Sequence, residues 1–133
     1  MTIRSILALT FALLLAGCGS SAIPLINGPQ TPAAQGHIHT DVGDNGNLKL
    51  DIEVKHLAPP SNVSAGAKIY AVWIQANDAA PQNVGALKIG DDLTGRLQTV
   101  TPQHNFALFI TTEVDPAVTA PQGARVLSAT VTK

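Results

Sequence analysis

The feature that most constrains the fold is a strict alternation of apolar and polar residues in strand-length segments. Between residues 47 and 55, Leu48, Leu50, Ile52 and Val54 alternate with polar side chains. Successive side chains of a β-strand point to opposite faces, so this segment predicts a strand with one buried face. Nine prolines and eleven glycines divide the chain into short pieces, which favours turns over long helices.

Six further segments have strand-like patterns: 37–42, 68–75, 84–89, 93–100, 106–114 and 124–131. Seven short strands at regular spacing predict an all-β domain, an antiparallel immunoglobulin-like β-sandwich. Residues 68–75 are apolar on both faces, which predicts a central strand. Residues 84–89 and 93–100 flank Gly90-Asp91-Asp92, which predicts a hairpin.

The four large aromatic side chains of the predicted domain are expected to be structural. Trp73 falls where immunoglobulin-like sandwiches often bury a tryptophan, and we expect it in the core with Phe106. Tyr70 and Phe109 are expected on the opposite face. A sugar-stacking platform is the alternative interpretation of these four rings, and burial is favoured.

Charge and cysteine content exclude several functions. The formal net charge of -1 offers no basic surface for nucleic acid and no polybasic patch for anionic lipid. A single cysteine in the 133 residues rules out an intramolecular disulfide. One hydrophobic core must therefore stabilise the domain.

The N-terminal residues have the pattern of a targeting segment. Arg4 precedes an apolar run at 6–16, which predicts a signal peptide, since a membrane span needs about 20 apolar residues. Leu15-Ala16-Gly17-Cys18 resembles the lipobox of bacterial lipoproteins. The resemblance implies cleavage after Gly17, a diacylglycerol on the Cys18 sulfur, and acylation of the new amino group. In many proteobacterial lipoproteins an aspartate after the lipidated cysteine acts as an inner-membrane retention signal. Here a glycine follows Cys18, so the resemblance favours the outer membrane in a host that has two membranes.

These features divide the chain into a cleaved signal peptide (1–17), a lipidated cysteine with a flexible linker (18–35), and the β-sandwich domain (36–133). The linker is rich in Ser, Ala, Pro, Gly and Gln, a composition too polar and irregular to fold by itself. Ile23, Leu25 and Ile26 interrupt it. The sequence leaves open whether they pack on the domain or enter the lipid interface.

A second resemblance covers residues 70–127. Its motifs, in order, are Tyr70-Ala71-Val72-Trp73-Ile74, Gly85-Ala86-Leu87, Gly95, Phe106, Thr112-Glu113, Pro121-Gln122-Gly123 and Val126-Leu127. This order resembles the extracytoplasmic domain of anti-sigma-K factors, which implies a sandwich outside the cytoplasm. Those factors carry a sigma-binding region and a transmembrane helix before the domain, and here a lipobox stands in their place. No sigma factor is therefore expected as a partner.

The histidines are the first candidate functional residues, as ligands of a metal ion. His37 and His39 lie two residues apart, so a strand would present both on one face. His104, and also His56, could join them if their strands are neighbours. Neutral imidazoles suit zinc or copper, although solvent-facing strand residues explain the pattern more simply.

Two acidic groups are the remaining candidates. Asp41, Asp44, Asn45 and Asn47, with Gly43 and Gly46, resemble an oxygen-rich calcium loop but lack the terminal glutamate of an EF-hand, and a tight turn is favoured. Glu113 and Asp115 share a strand face, where carboxylates are usually solvated or paired. A sandwich of about 100 residues seldom provides the cleft that paired catalytic carboxylates need.

Together the patterns predict a non-enzymatic, membrane-anchored lipoprotein of the bacterial cell envelope. Its sandwich would act as a protein-interaction or structural module. The expected partners are the membrane and an envelope protein, and the expected modification is the lipid on Cys18, with no other cofactor and no nucleic acid. The alternative is a periplasmic metal-binding lipoprotein that uses His37, His39 and His104.

Overall fold

The alternating segment forms a strand with its four apolar side chains fully buried. In the computed structural model, which describes residues 21–133, the elements are β1 (Ala22–Pro24), β2 (Ile26–Asn27), β3 (Gln35–Val42), β4 (Leu48–Lys55), the helical turn α1 (Pro60–Val63), β5 (Ile69–Gln75), β6 (Gln82–Leu87), β7 (Gly95–Thr101), β8 (Asn105–Glu113) and β9 (Arg125–Thr132). All seven predicted strands are confirmed, as β3 to β9.

The strands form two antiparallel sheets that pack face to face. A four-stranded sheet has the order β1-β3-β4-β7, and a five-stranded sheet has the order β2-β9-β8-β5-β6. One core lies between them. It includes Ile38 of β3, the apolar side chains of β4, and Tyr70, Val72 and Ile74 of β5. The predicted all-β sandwich is therefore confirmed.

The predicted hairpin between 84–89 and 93–100 is wrong. β6 pairs with β5, and β7 pairs with β4, so the turn at Gly90 carries the chain from one sheet to the other. Leu87 of β6 and Leu97 of β7 both face the shared core, so the two strands have similar patterns although they lie in different sheets. Alternation identifies the buried face of a strand but not its neighbour.

The predicted flexible linker contains structured residues. β1 pairs with β3 and β2 pairs with β9, so residues 22–27 add a short strand to the edge of each sheet. Leu25 lies between the two strands, is 7% exposed, and belongs to the core. Ile23 packs against the core, and Ile26 is exposed. Residues 22–27, which lie inside the predicted linker, are therefore held by sheet pairing and by one buried leucine.

Two of the four aromatic side chains, Tyr70 and Trp73, occupy the opposite faces from those predicted, whereas Phe106 and Phe109 lie on the predicted faces. Tyr70 and Phe106 lie in the core between the sheets. Trp73 and Phe109 are also buried, but in a second cluster on the outer face of the five-stranded sheet, where Val118 covers them. Trp73 is therefore not in the inter-sheet position of an immunoglobulin tryptophan. The odd-numbered residues of β5 face outwards, and the segment after β8 folds back to cover them.

In the part of the chain that the structure describes, no helix has the length and apolar character needed to cross a membrane.

Candidate functional site

The outer face of the four-stranded sheet carries most of the candidate chemistry, and we call it the polar face. Strand register sets its side chains in rows: His37 of β3 is opposite Glu53 of β4, which is opposite Arg96 of β7. In the next row, His39 is opposite Asp51, which is opposite Gln98. Directly opposed side chains on one face of a sheet are close enough to interact.

Three potential metal ligands meet on the polar face. His37, His39 and Glu53 each offer one donor atom, and these three atoms lie within 4.8 Å of one another. The imidazole rings of the two histidines are 5.2 Å apart in an edge-to-face arrangement, and His37 Nε2 is 3.8 Å from Glu53 Oε2. All three side chains are half-buried.

The neighbouring carboxylate, Asp51, is paired with Arg96. Arg96 donates to Asp51 through both Nε and Nη2, with a distance of 2.7 Å from Nε to Oδ1. These hydrogen bonds lower the pKa of Asp51 below its usual value. Arg96 Nε also lies 3.5 Å from Glu53 Oε1, so the oxygen of Glu53 that faces the histidines is the other one, Oε2.

His104 and His56 are not part of this cluster. His104 Nε2 lies 2.9 Å from the carbonyl oxygen of Gly46, at the turn that joins β3 to β4. His56 directly follows β4 with a positive φ of 56° and is exposed. The structure therefore brings together two of the candidate histidines, and it adds Glu53, which the sequence did not single out.

The acidic and amide residues at 41–47 form the β3–β4 turn. Gly43 donates its amide to the carbonyl oxygen of Asn47 over 2.8 Å, and the Asn45 side chain accepts from the Asn47 amide over 3.2 Å. Gly46 has a φ of 80°, a conformation that favours glycine. The turn interpretation is confirmed, because these residues close a hairpin with their own backbone and side chains.

Glu113 is buried, in contrast to the solvated or paired carboxylate expected. It is 4% exposed, and its Oε1 accepts hydrogen bonds from the Thr111 hydroxyl over 2.6 Å and from the amides of Gln122 and Gly123 over 3.0 and 3.2 Å. Thr111 in turn accepts from the Trp73 indole over 2.8 Å. Glu113 thus ties the segment after β8 to the aromatic cluster.

The β7 strand is a regular edge of its sheet among the described residues. It pairs with β4 from Gly95 to Thr101 without a bulge, and it is the last strand of its sheet. Its inward-facing Leu97 and Thr99 are half-buried, and its outward-facing Val100 is 54% exposed. The other long edge, β6, is interrupted by a bulge opposite Val72 and Trp73.

Sequence reasoning missed Glu53 because its role depends on strand register. The alternation in β4 does place Asp51 and Glu53 on its polar side, but it does not say which residue of β3 lies opposite. The predicted cleavage and lipid-attachment residues, Gly17 and Cys18, lie outside the described residues.

Comparison with known proteins adds no family assignment. No family model matches the chain, and no curated protein matches it.

Proposed function

We propose that the protein is a lipid-anchored, non-enzymatic module of the bacterial cell envelope that binds an extended segment of another envelope protein at the β7 edge. The observation that carries the binding part of this proposal is the β7 edge itself. Seven residues pair with β4 on one side and end the sheet on the other.

An exposed edge strand offers backbone donors and acceptors to an added strand. Natural proteins commonly block such an edge with a bulge, a proline or an inward-pointing charge. β7 has no proline and no bulge, and its single charged residue, Arg96, points outwards to Asp51. An added strand would also cover Leu97 and Thr99, which the two sheets leave half-buried.

The anchor part of the proposal rests on the lipobox-like sequence that ends at Cys18. Two or three acyl chains hold a protein on a membrane where one chain does so only weakly. Cys18 is three residues before Ser21, so their Cα atoms are at most about 11 Å apart. With β1 starting at Ala22, a lipid on Cys18 would hold the sandwich close to the membrane surface.

The anchor is tested by the variant Cys18→Ala. The wild-type protein should incorporate radiolabelled palmitate and fractionate with membranes, whereas the variant should do neither and should keep its signal segment. Palmitate labelling and membrane fractionation of the variant at the wild-type level would reject the anchor.

The binding edge is tested by the variant Thr99→Lys, which places a charge on the inward side of β7. Strand addition should then fail, because a charge would have to be buried with the partner. Thr130→Lys, on the exposed outer side of β9, is the matched control. Affinity purification from cross-linked envelopes should recover the same partner with wild type and with Thr130→Lys, and lose it with Thr99→Lys. Equal recovery by both variants would reject the β7 edge.

A further inference from the structure

We propose that His37, His39 and Glu53 form a three-ligand site for a divalent cation of the zinc and copper class on the polar face. This inference is independent of the lipid anchor and of binding at β7, because it concerns different residues and is measured on the isolated protein. It also differs from a site that includes His104, which lies at the β3–β4 turn.

The backbone holds the three ligands on adjacent strands. His37 and His39 share one face of β3, and the register places Glu53 of β4 directly opposite His37. β3 is flanked by β1 and β4, so it is paired on both sides at this point. Ligands on a paired sheet are held more precisely than ligands on a loop.

The donor atoms are close to the separation that a metal requires. In a tetrahedral zinc site with metal–ligand bonds near 2 Å, two ligand atoms lie about 3.3 Å apart. Here the three donors lie within 4.8 Å, and the His37–Glu53 pair is at 3.8 Å. The side chains are half-buried, so small rotations can close the remaining distance without moving the backbone.

The ion pairs around the cluster explain why Glu53, and not Asp51, is the proposed carboxylate ligand. Asp51 is held by two donors of Arg96, whereas Glu53 directs Oε2 to His37 and only Oε1 towards Arg96. Two imidazoles and one carboxylate suit zinc or copper and leave one coordination position open. The half-exposed position of the cluster allows solvent to fill it.

The test is a titration of the full protein as it is isolated from cells, with or without a lipid, purified in detergent without a polyhistidine tag and stripped with a chelator. Zinc and copper ions are each added while calorimetry measures affinity and stoichiometry, and NMR follows the imidazole C–H signals of the four histidines. We expect one equivalent to bind with at least one of the two metals. Bound zinc should shift the His37 and His39 signals, and bound copper, which is paramagnetic, should broaden them, while the signals of His56 and His104 stay unchanged.

Variants identify the ligands. His37→Ala, His39→Ala and Glu53→Gln should each weaken binding at least tenfold, since even the loss of an outer-shell partner typically weakens a metal site about 10- to 100-fold. His104→Ala and His56→Ala are matched controls and should bind as wild type. Trp73 lies on the outer face of the other sheet, so unchanged Trp73 fluorescence shows that each variant is folded.

Three results would overturn the proposal. The first is no binding of either metal to the wild-type protein. The second is binding that His104→Ala weakens as much as His37→Ala does. The third is a folded Glu53→Gln variant with wild-type affinity.

Discussion

Tyr70 is the single tyrosine of the chain, and its ring is fully buried between the sheets. Its hydroxyl donates a hydrogen bond to the carbonyl oxygen of Ala58 over 2.6 Å. Burial raises the pKa of the Tyr70 phenol from 10.0 to about 12, since the ionised ring would lose its hydration. The folded state therefore holds this proton more tightly than the unfolded state does.

We expect the free energy of unfolding to be unaffected by Tyr70 below pH 10 and to fall as the pH rises from 10 to about 12. This rise in the pKa corresponds to a loss of up to about 3 kcal/mol in the free energy of unfolding. Ultraviolet absorbance of the phenolate measures the ionisation of Tyr70 alone. Titration near pH 10 in the folded protein, at the same pH as in denaturant, would contradict a buried phenol.

Glu113 shows at the same scale how one buried carboxylate organises a loop. Replacing it in Glu113→Ala leaves the Thr111 hydroxyl and the amides of Gln122 and Gly123 without their acceptor. We expect a loss of about 2–4 kcal/mol in the free energy of unfolding, measured by urea denaturation with Trp73 fluorescence. Asp115→Ala, at an exposed carboxylate that accepts from one amide, should cost about 1 kcal/mol or less. Equal losses in the two variants would show that the buried Glu113 network stabilises the fold no more than an exposed carboxylate does.

At the scale of elements, β1 and β2 change the role of the segment before β3. If residues 22–27 are integral to the sandwich, Leu25→Ala should lower the free energy of unfolding by about 2–5 kcal/mol, as for other buried leucines. Ile26→Ala is the matched control, because Ile26 is 69% exposed, and it should change stability by less than about 0.5 kcal/mol. A Leu25→Ala variant as stable as the wild type would show that this segment is not integral to the sandwich and would favour the flexible-linker interpretation.

The elements also show where sequence reasoning succeeds and where it stops. Apolar patterning predicted all seven strands from β3 to β9: alternation marked strands with one buried face, such as β4, and a dense apolar run marked β5, which is buried on both faces. It did not predict that β6 and β7 lie in different sheets, since Leu87 and Leu97 reach the same core from opposite sides. Nor did it find β1 and β2, which are too short for any period and depend on Leu25 and on pairing with β3 and β9.

The candidate site was predictable only in part for the same reason. The spacing of His37 and His39 was enough to place both on one face, and the structure confirms that placement. Glu53 and Arg96 required the register of three strands. The motif Pro121-Gln122-Gly123 has a physical explanation that is visible only in three dimensions: a Cβ on Gly123 would lie 1.5 Å from the carbonyl oxygen of Thr112, and the neighbouring amides bind Glu113.

At the scale of the whole molecule, chain connectivity determines which end of the sandwich would face the membrane if Cys18 carries the proposed lipid. Ser21 accepts a hydrogen bond from Lys133 Nζ over 3.1 Å, the Lys133 amide donates to the His104 carbonyl oxygen, and His104 contacts Gly46. The N-terminal end of the described chain is therefore at the same end of the sandwich as the β3–β4 turn. A lipid on Cys18 would turn this end to the membrane and α1 away from it.

The orientation can be measured with fluorophores on single introduced cysteines, since the one native cysteine is blocked when it is lipidated. Asp44→Cys labels the β3–β4 turn, and Ser61→Cys labels α1 at the opposite end; both positions are exposed. In vesicles that contain a headgroup quencher, we expect stronger quenching at position 44 than at position 61. Equal or reversed quenching would contradict the orientation.

The central claim, a membrane-anchored module that binds a partner at β7, is tested most directly by photo-crosslinking in living cells. A photoreactive amino acid replaces Val100, which is 54% exposed on β7, and in a matched control it replaces Thr130 on the exposed side of β9. We predict one dominant envelope-protein adduct from position 100, no such adduct from position 130, and a strong reduction at position 100 in the Cys18→Ala background. The same adducts from both positions, or none from position 100, would contradict the account.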